Sequence, residues 1–163
     1  MRNLPKLHNK TERFCWYESP AGILKIAEDD QGITEVSFQN EKGTDQREGS
    51  LYLQETQRQL EEYFAGSRRS FDVPLSLKGT EFQKKVWHAL KEIPYGHTAC
   101  YQEVAAMIGN EKASRAIGNA NHHNPVVIIV PCHRVINADG SIGGYGGGIE
   151  RKKYLLNLEG IKL

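Results

Sequence analysis

The sequence is poor in cysteine and has no long apolar run. Its three cysteines, Cys15, Cys100 and Cys132, lack the C-x-x-C spacing of a zinc knuckle. We therefore expect no disulfide framework, no metal site and a reducing intracellular compartment. No apolar stretch approaches the roughly 20 residues that a membrane helix requires, and the N-terminus lacks the apolar core of a signal peptide. These absences predict a cytoplasmic protein, or a nuclear one if the source is eukaryotic.

A strong excess of charge of either sign is also lacking, because the formal net charge is only +1. The charge is nevertheless uneven: residues 1–77 sum to −3, and residues 78–163 sum to +4 and hold five of the six histidines. This asymmetry puts any contact with a polyanion on the second half of the chain. It is weaker than the charge of a typical DNA-binding domain, whose pI exceeds about 9.

The composition is that of a globular protein, with 39% hydrophobic and 25% charged residues. Three strand-like runs, over 13–18, 22–28 and 32–38, are separated by turn sequences and predict a three-stranded antiparallel meander. A helix is predicted over 51–65, followed by an extended crossing at 67–77. We therefore expect an α/β fold with two domains, an N-terminal α/β lobe over 1–77 and a second domain over 78–163.

The second half begins with a clear helix signal. Thr80 and Gln83 have the spacing of a capping box, and apolar residues then recur at helical intervals up to Pro94. Two short helices predicted over 101–108 and 111–121 are consistent with a helix-turn-helix, although many αα-corners look the same. The outward face of the second helix carries small and polar residues: Ser114, Arg115, Gly118, Asn119, Asn121 and His122.

The stretch 126–135 carries the most reactive side chains. Five apolar residues at 126–130 predict a buried strand, which Pro131 ends. Cys132, His133 and Arg134 follow. Burial alone raises the pKa of a thiol, whereas a nearby cation or hydrogen-bond donor favours the thiolate. Ordinary core packing is the alternative for this cysteine. In an extended chain Cys132 and His133 would point to opposite faces, so a working pair requires a tight turn or a bridging water.

Two features near the C-terminus complete the candidate site. Residues 143–148 contain five glycines around Tyr145, a composition that excludes stable helix or strand and suits a loop around a flat ligand. A flexible solvent-exposed loop is the alternative. Glu159 lies at the C-terminal end of a helix predicted over 150–159, where the helix dipole disfavours a carboxylate. Such a position requires a partner, unless the side chain is fully solvated.

Together these segments resemble the O6-alkylguanine-DNA alkyltransferases (methylated-DNA–protein-cysteine methyltransferases). The resemblance covers residues 80–160. It rests on Tyr101 at the start of the first short helix and on five motifs: Pro131-Cys132-His133-Arg134-Val135, Asn124-Pro125-Val126, Arg115-Ala116-Ile117-Gly118, the 143–148 loop, and Leu155-Leu156 followed by Glu159-Gly160. It implies a ribonuclease-H-like N-terminal lobe with a small antiparallel sheet and a mostly helical C-terminal lobe with a helix-turn-helix.

The resemblance also implies the activity. The family repairs DNA by direct, stoichiometric and irreversible transfer of an alkyl group from O6-alkylguanine, and by extension O4-alkylthymine, to one cysteine. Here that acceptor would be Cys132. His133 would help to form the thiolate through a water, and Glu159 would orient the histidine. Tyr101 would protonate or hydrogen-bond the departing guanine, and Asn124 would tie the helix-turn-helix to the active-site segment.

The partner implied is double-stranded DNA carrying an alkylated guanine, bound by a monomer that could act cooperatively on DNA, with no cofactor and no metal. Arg115 would fill the place of a base flipped out of the duplex. The residues expected to bind DNA are Arg115, Ser114, Gly118, Asn119, Ala120 and Arg134. The residues expected to line the substrate pocket are Tyr145, Gly146, Gly147, Val127 and Pro131.

This sequence departs from the family pattern at a few positions. Cys100 stands where a serine often caps the first recognition-motif helix, and His122-His123 adds charge that depends on pH. Three other readings remain open: a lesion sensor without transfer, a Cys-His hydrolase, and a helix-turn-helix regulator. The presence of Cys132 counts against the lesion sensor, and the absence of an acyl-transfer signature counts against the hydrolase. A regulator built as a single DNA-binding module with a buried thiol would be unusual.

Overall fold

The computed structural model describes residues 12–163, whose contacts separate two compact units, one ending at Leu77 and the other beginning at Lys78. The fold is α/β, as predicted. Within the described residues no helix is both long and apolar enough to cross a membrane.

The first unit is a small antiparallel sheet covered by one helix. Strands β1 (Arg13–Ser19), β2 (Gly22–Glu28) and β3 (Ile33–Gln39) pair in that order, as the meander prediction required. Helix α1 (Leu53–Phe64) buries its apolar side against β1 and β2. No side chain of its own caps α1. Instead the buried Glu28 carboxylate accepts hydrogen bonds from the backbone N–H groups of Leu51 (2.8 Å) and Tyr52 (2.6 Å), next to the start of the helix.

The second unit is mostly helical. Helix α2 (Glu81–Leu90) begins with the predicted capping box, which is confirmed: the Thr80 hydroxyl accepts from the Gln83 N–H, and the Gln83 side chain accepts from the Thr80 N–H. Helices α3 (Tyr101–Met107) and α4 (Ser114–His122) pack against each other, and α5 (Ile149–Leu158) closes the chain. Short strands β4 (Ala99–Cys100) and β5 (Val135–Ile136) pair in parallel.

The predicted strand at 126–130 is wrong, although its burial is as expected. The chain turns back on itself, with the Val130 N–H donating to the Val126 carbonyl at 3.0 Å. The Asn124 side chain fixes this turn, because its amide donates to the Val130 carbonyl at 2.7 Å and accepts from the Val126 N–H at 3.0 Å. Ile128, at the centre of the turn, is buried and has a φ of 72°, in the left-handed region.

Candidate active site

The turn that a cysteine–histidine pair requires is present. Cys132, His133 and Arg134 form one turn of 3₁₀ helix directly after Pro131. The Cys132 N–H donates to the Val130 carbonyl at 2.8 Å, and the Arg134 N–H donates to the Pro131 carbonyl at 3.0 Å. Strand β5 follows at once and pairs with β4, which leads directly into α3. The turn that carries Cys132 is therefore anchored by the pairing of β5 with β4.

Cys132 is buried, with 5% of its surface exposed. Burial raises the pKa of its thiol, against the opposing effects of a hydrogen bond with Asn124 and the positive charge of Lys152. The sequence led us to expect an ionised sulfur, whereas a thiol with a raised pKa is protonated at neutral pH. A base must therefore take its proton when it reacts.

His133 has the protonation state of such a base. It is fully buried, and its Nε2–H donates to the Glu159 carboxylate at 2.7 Å. Burial lowers the pKa of His133, although the hydrogen bond and charge of Glu159 oppose this. The imidazole is therefore neutral, and the hydrogen bond through Nε2 leaves Nδ1 as the unprotonated nitrogen. Nδ1 is buried and has no hydrogen-bond partner within residues 12–163.

Glu159 has the partners that its position at a helix end required. Besides His133, it accepts from Arg134 Nε at 2.8 Å and Nη2 at 3.1 Å, and from the Gly96 N–H at 3.3 Å. Burial by itself would raise the pKa of Glu159, but the hydrogen bonds and charges of His133 and Arg134 together lower it to about 2. The carboxylate therefore stays ionised and can stabilise a proton on His133.

Two of the residues expected to bind DNA are buried in the structure. Arg134 is buried and directs its guanidinium inward, to Glu159 and to the Ile93 carbonyl at 2.6 Å. Ala120 is also buried, and its backbone carbonyl accepts a hydrogen bond from Trp87 Nε1 at 2.9 Å. Neither side chain reaches the surface. Arg115 and Asn119 are exposed on α4, with Ser114 and Gly118 partly exposed, so these four have the exposure that a DNA contact requires.

A cavity of about 340 Å³ lies beside Cys132, which is at the lower end of the size range of small-molecule sites. Of the predicted pocket residues, Tyr145 and Gly146 line it, while Gly147, Val127 and Pro131 are not among its lining residues. The lining residues are Tyr101, Gly118, Asn121, His122, Cys132, Gly144, Tyr145 and Gly146. The cavity beside the thiol is therefore lined by the glycine loop, α3 and α4.

The phenol of Tyr101, at the first position of α3, is one wall of this cavity. Burial, and the negative charge that Cys132 carries when it is ionised, raise the pKa of Tyr101, so the hydroxyl is a neutral donor. Gly118 lies next to this ring, because a Cβ at that position would be 3.8 Å from it.

Lys152 is a buried residue of the candidate site that the sequence reasoning missed. It is fully buried on α5, and its Nζ donates to the Val135 carbonyl at 2.6 Å and to the Gly144 carbonyl at 3.0 Å. It therefore joins the glycine loop to the strand that follows the nucleophile. Burial lowers the pKa of Lys152 to about 8, against the opposing charge of Cys132. Helical spacing held the signal, because Lys152 shares a face with Leu155, Leu156 and Glu159.

Comparison with known proteins covers both units. The family description "6-O-methylguanine DNA methyltransferase, ribonuclease-like domain" matches residues 13–77, and "6-O-methylguanine DNA methyltransferase, DNA binding domain" matches residues 81–161. A relative from Methanosarcina acetivorans, named methylated-DNA–protein-cysteine methyltransferase, is 52% identical over 152 residues, which cover 90% of this chain and 97% of the relative.

Solved structures agree with these matches. The chain is similar to the crystal structure of Mycobacterium tuberculosis O6-methylguanine methyltransferase, with a TM-score of 0.80, 45% identity and coverage of 91% of this chain and 92% of that one. It is equally similar to Mycobacterium tuberculosis OGT in complex with DNA, with a TM-score of 0.80, 44% identity and coverage of 90% and 92%.

Proposed function

This chain belongs to the 6-O-methylguanine DNA methyltransferase family, and from that premise we propose that it repairs DNA by moving the alkyl group of O6-alkylguanine onto its own Cys132. The observation that carries the proposal is a buried thiol at the wall of a base-sized cavity, one residue before a histidine hydrogen-bonded to a carboxylate. Each molecule acts once, because the thioether formed is not hydrolysed.

The thiol is activated within the Cys132, His133 and Glu159 set. Nδ1 of His133 accepts the thiol proton, through a water, and Glu159 stabilises the imidazolium that results. The sulfur then attacks the alkyl carbon in line, so that an S–C bond forms as the bond between carbon and O6 breaks. The electron pair of the broken bond stays with guanine.

The departing guanine needs a proton, and Tyr101 supplies it. The raised pKa of this phenol keeps it protonated at neutral pH, and it lies in the cavity wall with Cys132. The phenolate that results regains a proton from the imidazolium of His133. Over the whole reaction the thiol proton passes to guanine, and no cofactor or outside oxidant is consumed.

A base within a duplex cannot reach a thiol that is 5% exposed, so the alkylated nucleotide must leave the stack, which costs a few kcal/mol. We propose that Arg115, exposed on α4, occupies the vacated place in the duplex, while the partly exposed Gly118 allows the helix to approach the minor groove closely. Binding to phosphates makes the interaction largely independent of sequence.

The proposed reaction needs one copy of the chain, because a single unit holds the nucleophile, base and donor. Its substrate also implies a location with the cellular DNA, in the cytoplasm or in a nucleus. O4-alkylthymine is a second substrate of the same proposal.

Intact-mass measurement tests the proposal. After incubation with a duplex carrying O6-methylguanine, the protein should gain one methyl group, and peptide mapping should find it on Cys132. Cys132→Ala should gain none and still bind the duplex, whereas Cys100→Ala, which removes a partly exposed thiol of the same unit, should behave like the wild type. An unmodified wild-type protein that binds the lesion would make the chain a sensor, and loss of binding in Cys132→Ala would contradict the assigned role.

A further inference from the structure

Unbonded polar atoms are concentrated at the cavity. Within residues 12–163, three buried side-chain oxygen or nitrogen atoms have no hydrogen-bond partner: Asn121 Oδ1, His133 Nδ1 and Tyr145 Oη. Buried polar groups in native proteins are nearly always bonded, so each exception requires an explanation. Nδ1 of His133 is explained by its role as the base. The other two belong to residues that line the cavity beside Cys132.

Asn121 differs from the neighbouring asparagine in a way that points to a ligand. Asn124 uses both ends of its amide to hold the turn at 126–130. Asn121 lies in the last turn of α4, and its buried carbonyl oxygen bonds to nothing in residues 12–163. An amide that stabilises no local structure but lines a ligand cavity is suited to recognise that ligand.

The edge of an O6-alkylated guanine is complementary to an amide. Alkylation at O6 removes the proton from N1, so the N1/N2 edge presents an acceptor beside the donor of the exocyclic amine. A side-chain amide presents the matching pair, an NH₂ donor beside a carbonyl acceptor. Unmodified guanine presents two donors on this edge, and O4-alkylthymine presents two acceptors, N3 and O2. Each of these bases leaves one end of the amide facing a like group.

We propose that Asn121 is a specificity-determining residue that hydrogen-bonds the N1/N2 edge of the flipped base. Its Nδ2 donates to N1, and its Oδ1 accepts from the exocyclic amine. The contact favours O6-alkylguanine over both unmodified guanine and O4-alkylthymine. The Tyr145 hydroxyl discriminates less, because a hydroxyl both donates and accepts. This inference rests on the proposed function.

A substrate that lacks the amine isolates the contact. Single-turnover rates are measured on duplexes that carry either O6-methylguanine or O6-methylhypoxanthine, which differ only in the exocyclic amine. The wild type should react about tenfold more slowly with the hypoxanthine analogue, which is the effect of one lost hydrogen bond worth about 1.4 kcal/mol. Asn121→Leu should react with both substrates at one rate, which lies below the slower of the two wild-type rates because this variant also loses the donor to N1.

Two further variants control this experiment. Asn157→Leu changes an exposed asparagine of α5, outside the site, and should keep the wild-type ratio. Asn121→Asp keeps an acceptor for the amine but loses the donor to N1, so it should be slower with both substrates and still prefer guanine. The inference would be overturned if Asn121→Leu kept the wild-type ratio of the rates on the two substrates. It would also be overturned if Asn121→Asp reacted with O6-methylguanine and O6-methylhypoxanthine at equal rates. Absence of any transfer by the wild type would instead overturn the proposed function.

Discussion

Replacing Glu159 by glutamine should lower the free energy of unfolding by about 3 kcal/mol at neutral pH. The carboxylate is buried and accepts hydrogen bonds from His133 and from two nitrogens of Arg134. Its pKa falls from 4.5 to about 2, which corresponds to about 3 kcal/mol at 1.36 kcal/mol per pKa unit. Removing one partner of a buried ion pair costs a similar ~3–5 kcal/mol, because the other charge stays buried.

The dependence on pH makes this prediction specific. Because the pKa of Glu159 is lower in the folded state than in the unfolded state, its contribution to the free energy of unfolding is fully present above about pH 4.5. This contribution is lost as the pH falls towards 2. Urea unfolding of wild type and Glu159→Gln should therefore differ most at neutral pH and converge in acid. Glu150→Gln, which changes an exposed carboxylate of α5, is the control. A difference that does not change with pH, or one as small as that of the control, would refute the reasoning.

Two further predictions concern activity. Arg115→Ala should slow repair of a methylated duplex far more than reaction with free O6-benzylguanine, because only the duplex requires a base to be flipped. Lys112→Ala, which removes an exposed cation of the same unit, should change the ratio of these two rates less. Equal slowing of both reactions by Arg115→Ala would remove the case for its insertion into the duplex. Lys152→Met should slow single-turnover transfer about tenfold, because the Gly144 and Val135 carbonyls lose their shared donor. Lys153→Met, at an exposed neighbouring position, should have little effect, and a wild-type rate in Lys152→Met would show that the loop does not depend on this anchor.

Local signals predicted most of the fold. The capping box at Thr80 and the turn sequences between the strands depend on chemistry within a few residues, so they can be recognised without tertiary context. The β-branched run at 126–130 predicted burial correctly and secondary structure incorrectly. Apolar residues indicate only that a segment is buried, whereas the turn depends on the side chain of Asn124.

The direction of individual side chains was harder to predict. Arg134 looked like a surface cation beside a reactive cysteine, but its binding to Glu159 depends on a contact between residues 25 positions apart. Lys152 was not singled out from the sequence, because the carbonyls that it bonds belong to β5 and the glycine loop. Such inward-facing charges depend on which carbonyls and carboxylates the fold brings close, and periodicity alone does not supply that information.

The conformation of Ile128 limits how this protein could be engineered. A β-branched residue with a φ of 72° is strained by about 1–2 kcal/mol, so glycine is the usual choice of a designer seeking a more stable loop. Here that exchange would also remove a side chain that is 1% exposed, and emptying such a position costs about 2–5 kcal/mol. The stability lost by emptying the position exceeds the strain that is relieved, so replacing Ile128 by glycine would not stabilise the loop that precedes Cys132.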